Sequence, residues 1–330
     1  MRLRFSDIEP APDVFAAVMA TGILSIAARN HQYTWISQIL DALAMLALLV
    51  LVALVITTAA VKRRIAVWDV SDPDVTLRLF TFVAACAVLG SRLASQVVVA
   101  HVLGAIALSV WLVLILTTAR NMSARPWPAL RDRSHGAWEL ASVATSGLVI
   151  MMVLLAYYTG HRWWLVVAVP LWAVALCIYG LMTALILWRA VAERKDRDGF
   201  EPDTWILMGA LAIATLAGDY IHLLAPHWLA GTVREITQVT WLVATLWIPP
   251  LISFGLRTIS RRPTVLQFAG VWWAMVFPLG MYSAATYAMA VELNVHALQT
   301  VSLVFFWNAL AVWLIVVVAG LLHVPRVLVR

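Results

Sequence analysis

The chain has 330 residues, 63% of them hydrophobic and only 12% charged, and carries a formal net charge of +6. Soluble domains average about 45–50% apolar and about 25% charged residues. These values therefore exclude a soluble enzyme or a nucleic-acid-binding domain and point to an integral membrane protein.

Apolar runs long enough to cross a bilayer, roughly 17–25 residues each, fall at 12–29, 36–60, 76–94, 97–119, 137–158, 163–189, 204–224, 233–256, 268–290 and 297–324. The expected fold is all-α: ten transmembrane helices in five hairpins, at about 12–60, 76–119, 137–189, 204–256 and 268–324, forming one transmembrane domain over 1–330. The first run follows Arg2 and Arg4 without a small-residue cleavage site, so it reads as a retained span and not a signal peptide. The third is bracketed by Arg78 and Arg92, and the fourth carries His101. The ninth holds a Pro and a Gly two residues apart, Phe277-Pro278-Leu279-Gly280. Proline removes one helical hydrogen bond, and in lipid such a break is tolerated only where the helix packs on protein or lines a cavity.

The connections alternate. Asn30–Trp35, Ala94–Gln96, Thr159–Arg162, Ala225–Thr232 and Val291–His296 are short and nearly uncharged, whereas Lys62–Arg64, Arg120–Arg133, Arg189–Arg197 and Arg257–Arg262 are basic. Only Arg29, Arg92, Arg162 and Arg234 fall on the first side, leaving nineteen of the 23 Lys and Arg residues on the other. The positive-inside rule then puts both termini and the basic loops in the cytoplasm of a multi-pass plasma (inner) membrane protein.

Every odd-numbered span has a glycine deep in the run: Gly22, Gly90, Gly147, Gly218 and Gly280, separated by 68, 57, 71 and 62 residues. The even spans are rich in Leu, Val, Ile and Trp, which suits lipid contact, and mostly lack such a glycine, Gly104 and Gly180 being exceptions. Close helix packing accounts for any single glycine. The alternating pattern predicts five weakened inner helices surrounded by five lipid-facing ones.

The start Phe15-Ala-Ala-Val-Met-Ala-Thr-Gly-Ile and above all the stretch Trp272-Trp273-Ala-Met-Val-Phe277-Pro278-Leu-Gly280 resemble the tellurite-resistance/C4-dicarboxylate transporter family. That family includes TehA-type bacterial proteins, fungal malate permeases and the slow-type anion channels of plants. The resemblance covers essentially the whole chain. It implies a homotrimer in which each subunit has its own pore, with five hairpins in a quasi-fivefold ring and the odd helices lining a central pore. It also implies that Phe277 occludes that pore as a gate.

Of the other candidates, Arg92 is placed in an outer vestibule that attracts anions, with snorkelling to the interface as the alternative. Asp219 and His222, i and i+3 on one helix face, are candidates for proton coupling, against a structural role in which Asp219 pairs with Arg92 or Arg234. Asp41, Glu139 and Glu235 lie near span ends and are expected to cap helices or pair with arginines. Cys86 and Cys177 lie in apolar runs and form neither a disulfide framework nor a paired-cysteine metal site. No cofactor or metal is expected, and no zinc, phosphate-loop or Ser-His-Asp signature suggests an enzyme. The expected function is an anion channel or transporter for small inorganic anions or carboxylates. The alternative is a proton-coupled C4-dicarboxylate carrier or a tellurite/oxyanion exporter. The expected partners are small anions, the lipid bilayer and two further copies of the chain.

Overall fold

The computed structural model describes residues 10–62, 68–192, 202–261 and 272–328. Several of the basic loop residues, Arg63 and Arg64 among them, lie outside these. Helices α1 (Ala16–Asn30), α2 (Thr34–Lys62), α3 (Pro73–Arg92), α4 (Val97–Ser123), α5 (Trp127–Arg133), α6 (Leu140–Thr159), α7 (Trp163–Ala192), α8 (Ile206–Leu224), α9 (His227–Arg261), α10 (Trp273–Glu292) and α11 (His296–Leu328) follow one another. Short 3-10 turns at Gly136–Glu139 and Pro202–Trp205 lead into α6 and α8.

Among the described residues, nine helices are long and apolar enough to cross a membrane, and α1, the tenth expected span, is shorter at 15 residues. Helix α5 was not anticipated. It lies within the basic connection after α4, where Pro126 and Pro128 provide a fixed φ suited to a helix start. Helix α3 begins where Asp72 accepts a hydrogen bond from the Asp74 N–H, with Pro73 next in the chain. Helix α6 ends at Gly160, whose φ of 72° is easy for glycine alone.

Each long helix packs closely against its hairpin partner: α1 with α2, α3 with α4, α6 with α7, α8 with α9, and α10 with α11. Beyond these pairs, α1 packs on α3, α3 on α6, α6 on α8, α8 on α10, and α10 back on α1, a closed circuit. Burial follows the same division. In α3, α6, α8 and α10, 72–89% of the apolar window is buried, against 17–28% in α2, α4, α7, α9 and α11. The latter five expose rows of Leu, Ile and Val that suit lipid contact.

Tryptophan does more than face lipid. Trp111 of α4 donates to Thr145 of α6 (2.9 Å), Trp172 of α7 to the Ala214 carbonyl of α8 (2.8 Å), Trp241 of α9 to Thr286 of α10 (3.2 Å), and Trp313 of α11 to Thr21 of α1 (2.9 Å). Four outer helices thus each tie themselves to the next inner helix, through indole N–H groups that lipid could not satisfy. Trp35, Tyr157, Trp163 and Trp228 are exposed at one end of the bundle, and Trp127 and Trp188 at the other. Both sets suit a membrane–water interface.

Candidate functional site

Two cavities lie along the circuit of inner helices. The larger, about 540 Å³, is at the Arg92 end. Its deeper wall takes Ile23 from α1, Val88 from α3, Gly147 from α6, Ile213 from α8 and Met281 from α10, and its rim carries Arg29, Arg92, Tyr157, Tyr158 and Tyr220. The smaller, about 20 Å³, has room for about one water. Its walls include Ala16 of α1, Thr81 of α3, Leu140 of α6, Ile206 in the first turn of α8, and Ala274 of α10.

These two layers are in register. In every inner helix the residue on the larger cavity lies seven positions after its counterpart on the smaller: 16 and 23, 81 and 88, 140 and 147, 206 and 213, 274 and 281. Seven residues are about two helical turns, so both members share one face of their helix. The turn between them carries Met19-Ala20, Ala84-Ala85, Val143-Ala144, Gly209-Ala210 and Phe277-Pro278, all buried. Phe277 is three residues after Ala274 and four before Met281, so its backbone lies at the level between the two layers, though it lines neither cavity. It is fully buried, and it is the only aromatic side chain in this layer.

The helical segment runs unbroken through Pro278. The proline lacks the N–H that would bond the Ala274 carbonyl. Its ring is accommodated by Gly209 of α8, where a Cβ would come within 2.9 Å of Pro278 Cβ and Cγ. Sequence reasoning missed Gly209, which falls outside the series of five glycines. Relative to the first cavity-lining layer, the five glycines lie at different depths, and only Gly147 lines a cavity. The helices are continuous through all five. Gly22 sits against Val88, Gly90 against Met151, Gly218 against Thr237 and Trp172, and Gly280 against Ile23. Close approach of a neighbouring helix is what these positions share.

Arg92 does line the larger cavity, and Arg29, which the sequence reading passed over, lines it too. Arg92 lies 3.8 Å from Asp41 and donates to Ser37 (3.3 Å), while its Nε is buried with no partner among the described residues. Asp219 and His222 are absent from the cavity wall. His222 Nδ1 lies 3.0 Å from the Ala230 carbonyl at the start of α9. The expected pairing of Asp219 with Arg92 or Arg234 is not formed, because Arg92 is next to Asp41 and Arg234 donates to Glu292 (2.8 Å). Glu139 pairs with no arginine either. It is fully buried and accepts from Thr183 (2.7 Å). His101 is exposed, with Nδ1 2.7 Å from the Val97 carbonyl, its ring edge-on to Trp164.

An ionic cluster surrounds the smaller cavity, and sequence reasoning did not assemble it. Asp13, Arg78 and Asp203 line the cavity. Arg78 donates to Asp13 (3.3 Å) and to Asp74 (3.1 Å). His135 Nδ1 is 2.6 Å from Asp203 Oδ2, and its Nε2 bonds Asp74 Oδ1. Asp203 Oδ2 also accepts from the Ala137 N–H (3.1 Å), and the Trp138 indole donates to Asp74 (3.4 Å). Burial pushes the His135 pKa down, but the hydrogen bonds and charges of Asp203 and Asp74 outweigh it and raise the value to about 9. The available signal was register: Asp13, Arg78 and Asp203 each precede their first-layer residue by three positions.

The profile of a family described as "SLAC1: Voltage-dependent anion channel" matches residues 10–321. An uncharacterized membrane protein of Mycobacterium tuberculosis is 33% identical over 159 residues, covering 46% of this chain and 80% of that protein. Two uncharacterized transporters of Methanocaldococcus jannaschii also match. One is 21% identical over 336 residues, covering 93% of this chain and 91% of the other, and the second is 20% identical over 200 residues, covering 57% and 55%.

Proposed function

The chain belongs to the SLAC1 voltage-dependent anion channel family, and we propose that it passes small anions through a pore of its own, along the axis of the five inner helices, with Phe277 as the gate. In this reading the five hairpins form a quasi-fivefold ring and each subunit of a homotrimer conducts separately. Arg92 lies toward the outside of the plasma membrane, and both termini lie in the cytoplasm. The observation that carries the reading is the pair of matched layers flanking Phe277. Five different helices supply one residue each to both layers, and Phe277 falls between the two layers along its helix.

The chemistry of the wall supports a weakly selective anion path. Arg29 and Arg92 at the rim raise the local anion concentration. The deeper wall of Ile23, Val88, Gly147, Ile213 and Met281 offers no fixed charge, so an anion is not trapped there but must shed water. Conduction requires that entering and leaving be comparably easy. Passage would therefore favour weakly hydrated monovalent anions over strongly hydrated or divalent ones.

The test is flux in liposomes reconstituted with the pure protein, using a panel of halides, nitrate and mono- and dicarboxylates. Phe277→Ala should raise anion flux by about tenfold or more, the factor that about 1.4 kcal/mol of barrier commands. A correctly folded Phe277→Ala protein that conducts no better than the parent at any pH from about 7 to 10 would remove the gate. A proton-coupled carrier would instead show saturable flux that follows pH and disappears in Asp219→Asn.

A further inference from the structure

Both ring nitrogens of His135 face carboxylate oxygens, Nδ1 toward Asp203 and Nε2 toward Asp74. Ionised carboxylates only accept hydrogen bonds, and a neutral imidazole has one N–H. Two such contacts require a proton on each nitrogen, so the ring is an imidazolium bridging two anions. The bridge is also a mechanical link. Asp74 is in the first turn of α3, His135 leads into α6, and Asp203 leads into α8. Arg78 extends it to Asp13, one turn before α1. The backbones themselves close in here, since a Cβ on Gly136 would collide with the Asp203 carbonyl oxygen.

We propose that the Asp74–His135–Asp203 bridge is a second closure of the pore, at the end opposite Arg92 and in series with Phe277. This rests on the pore reading above. Asp13, Arg78 and Asp203 line the cavity of about 20 Å³, which is too small for a hydrated anion. Widening it means parting α3, α6 and α8, and the imidazolium holds these three together. Asp203 Oδ1 is buried without a partner among the described residues, so Asp203 depends on His135 and the Ala137 N–H. Removing the ring proton would set an imidazole lone pair against one carboxylate and drive the helices apart. The charged groups facing this bridge are Asp74 and Arg78 from α3, Asp203 from the turn before α8, Asp13 through Arg78, and Arg189 of α7, which donates to the Ser134 carbonyl (2.8 Å). The Asp72–Arg133 pair (2.8 Å) lies beside them. With the His135 pKa at about 9, the bridge is intact at neutral pH and loosens in alkali.

The experiment uses Phe277→Ala protein in liposomes, with chloride and nitrate flux followed from about pH 7 to 10. Flux should climb about tenfold across pH 9, the equilibrium factor of one charged hydrogen bond. His135→Gln on that background should reach the higher flux already at pH 7, and His135→Lys, which keeps the charge, should remove the alkaline climb. Independently, an Ala274→Cys thiol, with Cys177 replaced by Ser, should react with a membrane-impermeant thiol reagent applied from the His135 side much faster in His135→Gln than in the parent. No conduction by Phe277→Ala at any pH would defeat the pore reading itself. Conduction by Phe277→Ala with no alkaline climb, no gain from His135→Gln and unchanged thiol reactivity would leave the pore standing and overturn the second closure. Should His135→Gln not fold, the alkaline climb and the pH dependence of thiol labelling decide.

Discussion

The two ends of this helical bundle are built on opposite plans. At the Arg92 end, a cavity of about 540 Å³ opens between the inner helices, and its arginines make loose contacts, the nearest carboxylate to Arg92 being 3.8 Å away. At the His135 end, the same helices enclose about 20 Å³, and the side chains around it are joined by short ion pairs. Charge is present at both ends, but the pairing differs. A loosely paired arginine is available to a passing anion, while closely paired arginine and histidine are committed to holding helices together. One end is thus arranged for attraction and the other for cohesion.

The largest expected effect tests the cohesive end. Asp203 is 3% exposed at its side chain and bonds both His135 and the Ala137 N–H. Asp203→Ala strips an imidazolium of one partner and leaves a helix-start N–H unsatisfied, which should destabilise the protein by about 3 kcal/mol. Thermal unfolding in detergent would read this as a clear drop in midpoint, whereas Arg29→Gln at the open end should barely move it. The same end should also make stability pH-dependent. The folded pKa of His135 is raised from 6.5 to about 9, so its contribution is full below about pH 6.5 and fades as pH rises through 9. Unfolding scans of parent and His135→Gln should converge above that pH.

Next in size is a test of the layer between the two ends. Gly209→Val would drive a branched side chain into Pro278 Cβ and Cγ, which even a Cβ would meet at 2.9 Å. Overpacking of this kind costs about 1–3 kcal/mol. Because the collision falls beside Phe277, flux should change along with stability, whereas the same substitution at Gly180, where a Cβ meets nothing within 4 Å, should leave flux alone.

Much of the architecture was legible because lipid imposes length and composition on each segment. The alternation of inner and outer helices follows from small residues in one set and Leu/Val/Ile-rich runs in the other, and burial divides in the same way. Phe277 was marked by its neighbour Pro278, a residue that a packed helix tolerates only for a reason. The glycines face different neighbours, because glycine permits close approach on any face: Gly218 meets α7 and α9, and Gly90 meets Met151. The ionic cluster was not legible, since Asp74, His135 and Asp203 are 61 or more residues apart and each alone reads as an ordinary residue near a span end. The repeat of cavity-lining positions brings only Asp203, with Asp13 and Arg78, to one level, and that repeat is carried by side-chain direction more than by residue type.

The smallest effect concerns the open end and is the one most sensitive to conditions. Arg92 makes one long ion pair and one hydrogen bond, so Arg92→Gln should cost less stability than Asp203→Ala. Its influence should appear in flux instead. A cationic rim concentrates anions in proportion to its potential, and that potential is screened over about 10 Å at 0.1 M salt and about 30 Å at 0.01 M. Anion flux through Phe277→Ala protein should therefore fall about two- to threefold on adding Arg92→Gln in dilute salt, and much less near 1 M. A loss that persisted unchanged at high salt would mean that Arg92 binds the anion directly, and that this end too works by fixed contacts.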